Sequence, residues 1–216
     1  VTEVAKIVNR YGKVIVLEDD LVVSKYFLDF MNNALSFYED EPKVISVCGY
    51  MYPVKITDRE TLFLTLTDCW GWATWKRGWD LFEPDANKLL GRLRAEKMIK
   101  KFNLNGGYNF TKMLKKQADN RISSWVIRWY ASSLLNGKLS LYPARSLVKN
   151  TGFDDSGTHR GYSTGYDVDI FQKEIAVSEI PVIEDRSIMK RVEMFFRVNQ
   201  FKKLFYAIRK IAGQIR

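Results

Sequence analysis

The chain lacks the long hydrophobic runs and the histidine and cysteine clusters that mark several protein classes. Its 216 residues contain no apolar run of the ~18 residues that a membrane-spanning helix needs. One histidine and two cysteines, without a CxxC pair, exclude a typical zinc site. Cys48 and Cys69 each lie in an apolar stretch, and we interpret them as buried thiols of a cytosolic protein rather than a disulfide. The opening residues also lack the apolar core of a signal peptide.

The positive charge is unevenly distributed along the chain. Of the net charge of +9, residues 92–121 and 190–216 each carry +7, which leaves the remaining residues at −5. Two basic segments beside an acidic remainder indicate surfaces for an anionic partner rather than a uniformly basic protein. No nucleic-acid-binding motif accompanies these segments, and an acidic cleft would repel such a partner. The sequence therefore predicts no nucleic-acid binding.

Short apolar stretches alternate with helical patterns. Continuous apolar runs predict three buried strands, at residues 13–17, 43–51 and 62–69. The stretch LSLYP, residues 139–143, predicts a further short strand. Apolar residues at helical spacing predict helices within residues 26–40 and 123–137, and the second of these ends at Gly137. Strands that alternate with helices predict an α/β fold.

Three consecutive carboxylates, Glu18, Asp19 and Asp20, follow the first predicted strand. In an open α/β sheet, ligands bind beyond the carboxyl ends of the strands. Clustered carboxylates repel one another unless a cation joins them, and a hard divalent ion completes its shell with phosphate oxygens and water. The triplet is therefore a candidate site for a metal-bound diphosphate. A solvated turn is the alternative interpretation.

Tryptophan is concentrated in the segment WGWATWKRGWD, residues 70–80. Indole rings stack on the apolar faces of sugars and also offer an N–H donor. Gly71 permits a close approach of backbone to a ligand. Trp72, beside it in a predicted turn, is the candidate ligand-binding tryptophan, whereas Trp75 and Trp79 are expected in the core.

Residues 151–165, TGFDDSGTHRGYSTG, contain four glycines and no apolar periodicity. This composition predicts a mobile loop, and loops of this length without secondary structure commonly carry function. The only histidine in the sequence, His159, lies in this segment. An exposed histidine without a functional role is the alternative interpretation.

The ordered set EDD, TDCWGWATW, SSWVIRW and LVKNTGFDDSGTH resembles glycosyltransferases of the GT-A fold. It is similar to bacterial sugar transferases of surface-polysaccharide synthesis and, more distantly, to the Golgi N-acetylglucosaminyltransferase that starts complex N-glycans. The resemblance covers roughly residues 1–180. It implies a Rossmann-like mixed sheet flanked by helices. It also implies inverting transfer of a hexosyl or N-acetylhexosaminyl group from a nucleotide-sugar donor to a glycan or lipid-linked glycan.

The resemblance assigns roles to the acidic triplet. Asp20 would bind Mn²⁺ or Mg²⁺ directly. Glu18 and Asp19 would face hydroxyl groups of the donor sugar or of its ribose. The ion would bridge the protein and the pyrophosphate of the donor.

The same resemblance assigns roles to two later segments. Gly71 and Trp72 would form the wall where the donor sugar meets the acceptor. Asp154, Ser156 and His159 would belong to a loop that folds over the diphosphate and stabilises the departing nucleotide.

The general base is one departure from the family pattern. Related sequences have an aspartate at or just before the serine–tryptophan pair, where this chain has Ser123 and Ser124, and serine cannot act as a base unaided. Asp119 is the nearest replacement in the sequence. Asp154 and Asp155 of the glycine-rich loop are alternatives.

The N-terminal half of the sheet is the other departure. In this family, two or three βα units of about 30 residues each precede the acidic strand, but only 12 residues precede Lys13. We therefore expect an N-terminally incomplete sheet whose exposed edge is covered by partner chains or a second copy. A truncated or inactive relative that serves as a binding or scaffold module is the alternative function.

Residues 188–216 are predicted to form a basic amphipathic helix that follows a glycosyltransferase-like domain of residues 1–187. Its apolar stripe advances in steps of three and four through Met194, Val198, Phe201, Phe205, Ile208, Ala212 and Ile215. A helix of this kind lies on anionic lipid. This predicts a cytoplasmic protein, peripheral on the inner face of the membrane, with packing on its own domain or on a second copy as the alternative.

Overall fold

The computed structural model describes residues 1–152 and 165–214, and it describes only the backbone of residues 203, 204 and 206–214. The helices are α1 (Thr2–Tyr11), α2 (Phe27–Phe37), α3 (Lys76–Trp79), α4 (Ala86–Ala95), α5 (Ile99–Phe102), α6 (Phe110–Ala118), α7 (Trp125–Leu135) and α8 (Arg186–Gln214), with a 3-10 turn at Leu104–Gly106. The strands are β1 (Lys13–Val16), β2 (Leu21–Val23), β3 (Val44–Cys48), β4 (Thr61–Leu64), β5 (Trp72–Trp75), β6 (Leu139–Pro143) and β7 (Val148–Asn150). The α/β class is therefore confirmed.

Five of the described strands form a mixed sheet in the order β1-β5-β3-β6-β4. β3 and β6 pair in parallel, and β5 pairs antiparallel with both β1 and β3, so β1, β3 and β6 all run in the same direction. β4 runs in the opposite direction, antiparallel to β6. The carboxyl ends of β1, β3 and β6 therefore meet at one edge of the sheet, which is where α/β proteins bind ligands.

The predicted burial is correct for β3 and β4 and wrong for β1. β3, β4 and β6 are buried along their whole length, but β1 is only partly buried. β1 stands at the end of the sheet and pairs with β5 alone among the described residues. β4 stands at the other end, but there the backbone of Phe63 bridges to Glu184 and covers the edge. The unpaired edge of β1 therefore leaves this strand accessible to solvent.

Two hydrophobic clusters cover opposite faces of the sheet. Successive side chains of a strand point to opposite faces. Trp72 of β5 belongs to a smaller cluster with Val8 of α1 and Trp129 of α7. Ala73 and Trp75 belong to a larger cluster, to which α2, α4, α7 and α8 contribute. The mixed sheet is thus flanked by helices, as predicted. Cys48 and Cys69 are free thiols, and Cys48 is buried as predicted, whereas Cys69 is only partly buried.

The helix α8 begins inside the body of the protein. Ile188, Met189, Val192 and Phe196 are buried members of the larger cluster. The first half of the segment predicted as a separate tail therefore contributes to the core. None of the helices within the described ranges combines the length and the apolar character that a membrane span requires.

Candidate functional site

The acidic triplet lies in the turn between β1 and β2, and a short ribbon of β2 and β7 fixes its position. β2 pairs antiparallel with β7, which places Leu21 opposite Asn150. The backbone N–H and the hydroxyl of Thr151 both donate to the carbonyl oxygen of Asp20, at 2.9 and 3.0 Å. Two segments about 130 residues apart in sequence therefore form one corner of the structure. We call it the acidic corner: Glu18, Asp19, Asp20 and residues 150–152.

One oxygen of the Asp20 carboxylate has no partner. Oδ2 of Asp20 accepts a hydrogen bond from Nδ2 of Asn150 at 3.3 Å, whereas Oδ1 is buried and accepts none. Gly152 lies directly against this carboxylate, and a Cβ at Gly152 would overlap with Oδ2. A buried carboxylate oxygen without a donor costs free energy unless a cation or a donor approaches it. Oδ1 therefore marks a position that suits a positively charged ligand.

Glu18 and Asp19 are exposed on the same turn. Partial burial, followed by the charges of Asp20, Asp68 and Asp19, raises the pKa of Glu18. The structure therefore brings the triplet within electrostatic range of Asp68, which lies fifty residues later in the sequence. The negative charge at this corner is greater than the three consecutive residues alone would produce.

The oxygen ligands at the acidic corner fit a hard divalent ion. Carboxylate and carbonyl oxygens suit Mg²⁺ or Mn²⁺ rather than softer metals. Within residues 1–152 and 165–214, no group of three or more His, Cys, Asp or Glu side chains is arranged to hold a metal ion. Mg²⁺ is usually held by one or two carboxylates, with water and substrate phosphates in the remaining positions. Asp20 fits that pattern as a single protein ligand with a free oxygen.

Gly71 lies beside the acidic corner, at the start of β5. Its φ of +63° is in the left-handed region that favours glycine. A Cβ at this position would lie 2.8 Å from Cγ2 of Val148 and 3.3 Å from Cδ2 of Leu17. Glycine therefore lets β5 begin in direct contact with β7 and with the end of β1. The predicted role of Gly71 in a wall between donor sugar and acceptor stays a prediction.

Trp72 does not form a wall of the cleft, and the expectation that it contacts a ligand needs correction. Trp72 is 0% exposed and lies in β5 rather than in a turn. Its ring stacks on that of Trp125 at 5.2 Å and packs against Trp79 and Trp129. The strand alternation directs Trp72 to the face of the sheet that α1 and α3 cover. Trp75 and Trp79 are buried, as predicted.

Trp70, two residues earlier, is a tryptophan that lines a cavity. Trp70 is half-buried and lines a cavity of about 210 Å³. Seven aromatic side chains face this cavity: Tyr52, Trp70, Tyr108, Phe110, Tyr130, Tyr166 and Phe196. Thr67 and Tyr130 also line it, and their hydroxyl oxygens are buried without a hydrogen-bond partner. We call it the aromatic cavity. Its aromatic walls and few polar atoms suit a sugar ring.

Asp68 is the functional candidate that sequence reasoning did not single out. It lines the aromatic cavity and is only 8% exposed. Burial raises the pKa of Asp68 above its usual value. Hydrogen bonds from the backbone of Trp70, the Tyr52 hydroxyl and the backbone of Cys69 lower it by less than burial raises it. A charged residue in the apolar stretch LFLTLTDC was the signal that could have identified it. Buried carboxylates with perturbed pKa values cluster at functional sites.

The predicted base Asp119 lies away from the aromatic cavity. It ends α6, remains exposed, and forms an ion pair with Arg121 at 3.7 Å. It is not among the residues that line the cavity. Ser123 is exposed, and the backbone N–H of Ser124 donates to Oε1 of Gln117 at 2.6 Å.

The predicted loop residues Asp154, Ser156 and His159 lie outside the described residues, as does Asp155. Of this segment, residues 151, 152 and 165 are described, and Gly152 lies against Asp20. Their predicted contact with the diphosphate therefore stays a prediction.

Neither a protein-family model nor a curated protein sequence matches the chain. The function is therefore inferred from the residues of the site. These are the acidic corner, the aromatic cavity, and Asp68, whose charge reaches Glu18 and whose side chain lines the cavity.

Proposed function

We propose that the chain is a metal-dependent inverting glycosyltransferase of GT-A-like architecture, which moves a sugar from a nucleotide-sugar donor to a glycan or lipid-linked glycan. The observation that carries the proposal is the buried, unpartnered Oδ1 of Asp20 at the carboxyl edge of the sheet. Asp68 links this corner electrostatically to the aromatic cavity. A metal-bound diphosphate and a sugar ring require these two environments close together.

The acidic corner is the proposed site for the diphosphate end of the donor. Asp20 would hold Mn²⁺ or Mg²⁺, and the bound ion would neutralise charge on the leaving nucleoside diphosphate. Asn150 orients the carboxylate of Asp20 through its hydrogen bond to Oδ2. Glu18 and Asp19 are exposed on the same turn, where they can accept hydrogen bonds from hydroxyls of the donor sugar or ribose.

The aromatic cavity is the proposed site for a sugar ring. Its volume of about 210 Å³ is below the roughly 300 Å³ at which pockets for drug-sized ligands begin, so it suits a single ring. Trp70 packs edge-to-face on Tyr50, at 4.6 Å between ring centroids, which holds the indole in place. The hydroxyl groups of Thr67 and Tyr130, two residues that line this cavity, are buried and have no protein partner.

Turnover of nucleotide sugars tests the proposed activity. The purified chain is incubated with UDP-N-acetylglucosamine, UDP-glucose, UDP-galactose or GDP-mannose, with Mn²⁺ or with EDTA, and released nucleoside diphosphate is measured. We expect Mn²⁺-dependent release from at least one donor, because many transferases slowly hydrolyse their donor. Binding of a donor without release would identify a binding module instead. Neither binding nor release with any donor would contradict the proposal.

The exposed face of α8 supports membrane association as part of the same proposal. Met194, Val198, Phe201 and Phe205 are 52%, 42%, 57% and 66% exposed. They lie on the side of the helix opposite the buried Val192 and Phe196, since two residues correspond to about 200° around a helix of 3.6 residues per turn. Exposed Arg197 and Lys202 flank this stripe. An apolar face with basic flanks suits a bilayer that contains anionic lipid.

Co-sedimentation with vesicles tests this association. We expect the chain to bind vesicles that contain phosphatidylglycerol, to bind phosphatidylcholine vesicles weakly, and to be released by salt. Phe201→Glu should reduce binding at least about tenfold, since one phenylalanine contributes about 1.5–3 kcal/mol when it leaves water. Leu28→Glu, which changes a leucine that is 55% exposed on α2, is the matched control. Equal binding of Phe201→Glu and wild type would contradict a role for the stripe.

A further inference from the structure

Asp68 is the residue that connects the two parts of the proposed site. It is the only charged side chain among the described residues that line the aromatic cavity. Its charge is also felt at Glu18, in the acidic corner. Its charge therefore acts at the acidic corner, while its side chain lines the cavity.

The hydrogen bonds of Asp68 leave one acceptor position open. Oδ1 accepts from the backbone N–H groups of Cys69 and Trp70, at 2.7 and 3.0 Å. Oδ2 accepts from the Tyr52 hydroxyl at 2.8 Å. A carboxylate offers about four acceptor positions, so one position on Oδ2 remains.

We propose that Asp68 is the general base of the transfer reaction, an inference that rests on the proposed function. In this step Oδ2 of Asp68 takes the proton of the acceptor hydroxyl. The acceptor oxygen forms a bond to the anomeric carbon of the donor sugar from the opposite side. The bond between that carbon and the diphosphate oxygen breaks, and its electron pair leaves with the nucleoside diphosphate. The proton passes from Asp68 to solvent after release, and no atom changes oxidation state.

The environment of Asp68 suits proton abstraction. Burial raises its pKa, and a carboxylate with a raised pKa accepts a proton more readily than an ordinary one. The titratable groups that face Asp68 are Glu18, Cys48, Tyr50, Tyr52, Cys69, Tyr142 and Tyr166. Only Glu18 among them carries charge at neutral pH in its ordinary state. Asp68 would take the place of the aspartate expected near Ser123 and Ser124; Asp119 does not line the cavity, and the alternatives Asp154 and Asp155 lie outside the described residues.

A structural role is the competing explanation, because the two bonds to Cys69 and Trp70 form an Asx-type turn. Asp68→Asn separates the two roles. Its carbonyl oxygen keeps both backbone bonds, but an amide cannot accept a proton. Asp68→Ala loses the two backbone hydrogen bonds as well as the proton acceptor. We therefore expect Asp68→Ala to lower the melting temperature and Asp68→Asn to leave it unchanged.

The test measures Mn²⁺-dependent release of nucleoside diphosphate by wild type and by Asp68→Asn. Water is the acceptor, and the donors are the same four nucleotide sugars. We expect release to fall at least ~100-fold, the range for loss of a general base, while the affinity for UDP with Mn²⁺ changes less than about threefold. Release by Asp68→Asn within about threefold of wild type would overturn the assignment of Asp68 as the base but not the proposed function. A wild type that neither binds nor hydrolyses any donor would overturn the proposed function as well.

Tyr52→Phe gives a readout that a structural role would not move. The Tyr52 hydroxyl lowers the pKa of Asp68 by its hydrogen bond, so its removal raises that pKa further. Since the base must be ionised, activity is lost as the pH falls through the pKa of Asp68. We expect the acidic limb of the pH–rate profile to move to higher pH in Tyr52→Phe. Coincident profiles for Tyr52→Phe and wild type would also overturn the assignment.

Discussion

Replacing Asp20 with alanine is expected to reduce Mn²⁺-dependent donor turnover about 100- to 1,000-fold, the range for loss of one preorganised charge-stabilising group. The reason is that Asp20 presents the only unpartnered carboxylate oxygen among the described residues that is also buried. Glu18 and Asp19, which are exposed on the same turn, do not replace it. The measurement is release of nucleoside diphosphate at saturating donor over a range of Mn²⁺ concentrations.

Stability separates a ligand role for Asp20 from a structural one. Asp20→Ala should not lower the melting temperature, because it removes a buried oxygen that has no donor and only one hydrogen bond, at 3.3 Å. Gly152→Ala is the companion variant, since its Cβ would displace the carboxylate without removing it. Both should weaken the response to Mn²⁺. An Asp20→Ala protein that is fully active, or inactive only because it unfolds, would contradict the metal role.

Trp72→Ala is expected to lower the free energy of unfolding by about 3–5 kcal/mol, the usual cost of truncating a large buried aromatic residue. Trp72 is 0% exposed and packs against Trp79, Trp125 and Trp129. The space that it leaves lies between the sheet and α7, where relaxation is limited. Urea denaturation, followed by circular dichroism, measures the change.

Trp70→Ala is the matched comparison. Trp70 is half-buried at the cavity, so its loss should cost less stability than the loss of Trp72. It should instead weaken binding of a sugar donor roughly tenfold, which corresponds to about 1.4 kcal/mol. If Trp72→Ala were stable and defective only in donor binding, the placement of Trp72 in the core would be wrong.

The strands and helices that were predicted correctly have local signals, whereas β2, β5 and β7 were not predicted as strands. The apolar runs that become β3, β4 and β6 lie where they were expected, and LSLYP matches β6 residue for residue. The partial exposure of β1 was not predictable, since an edge strand and a central strand of the same composition differ only in their neighbours. Which strands flank β1 depends on the strand order of the whole sheet, and a local pattern does not contain that order.

The acidic triplet was the part of the site that sequence could identify. Carboxylates directly after a buried run are a local feature, and Glu18, Asp19 and Asp20 do lie together in the turn after β1. Asn150 and Gly152 acquire their roles only through the pairing of β2 with β7. No spacing rule connects two segments so far apart in the chain.

Trp70 and Trp72 illustrate the remaining limit. Both belong to one short motif, and the motif alone does not say which faces a ligand. The start of β5 decides it, because the strand directs Trp72 into the smaller cluster and leaves Trp70 before the strand, at the cavity. Asp68 was missed for the same reason, since its importance depends on the cavity around it.

Calorimetric titration of UDP and GDP into the chain, with Mn²⁺ and with EDTA, is the most direct measurement of the central claim that Asp20 anchors a metal-bound diphosphate. One of the two nucleotides should bind when Mn²⁺ is present, and this binding should disappear with EDTA and in Asp20→Ala. Binding of equal affinity with Mn²⁺ and EDTA, or in wild type and Asp20→Ala, would contradict the claim.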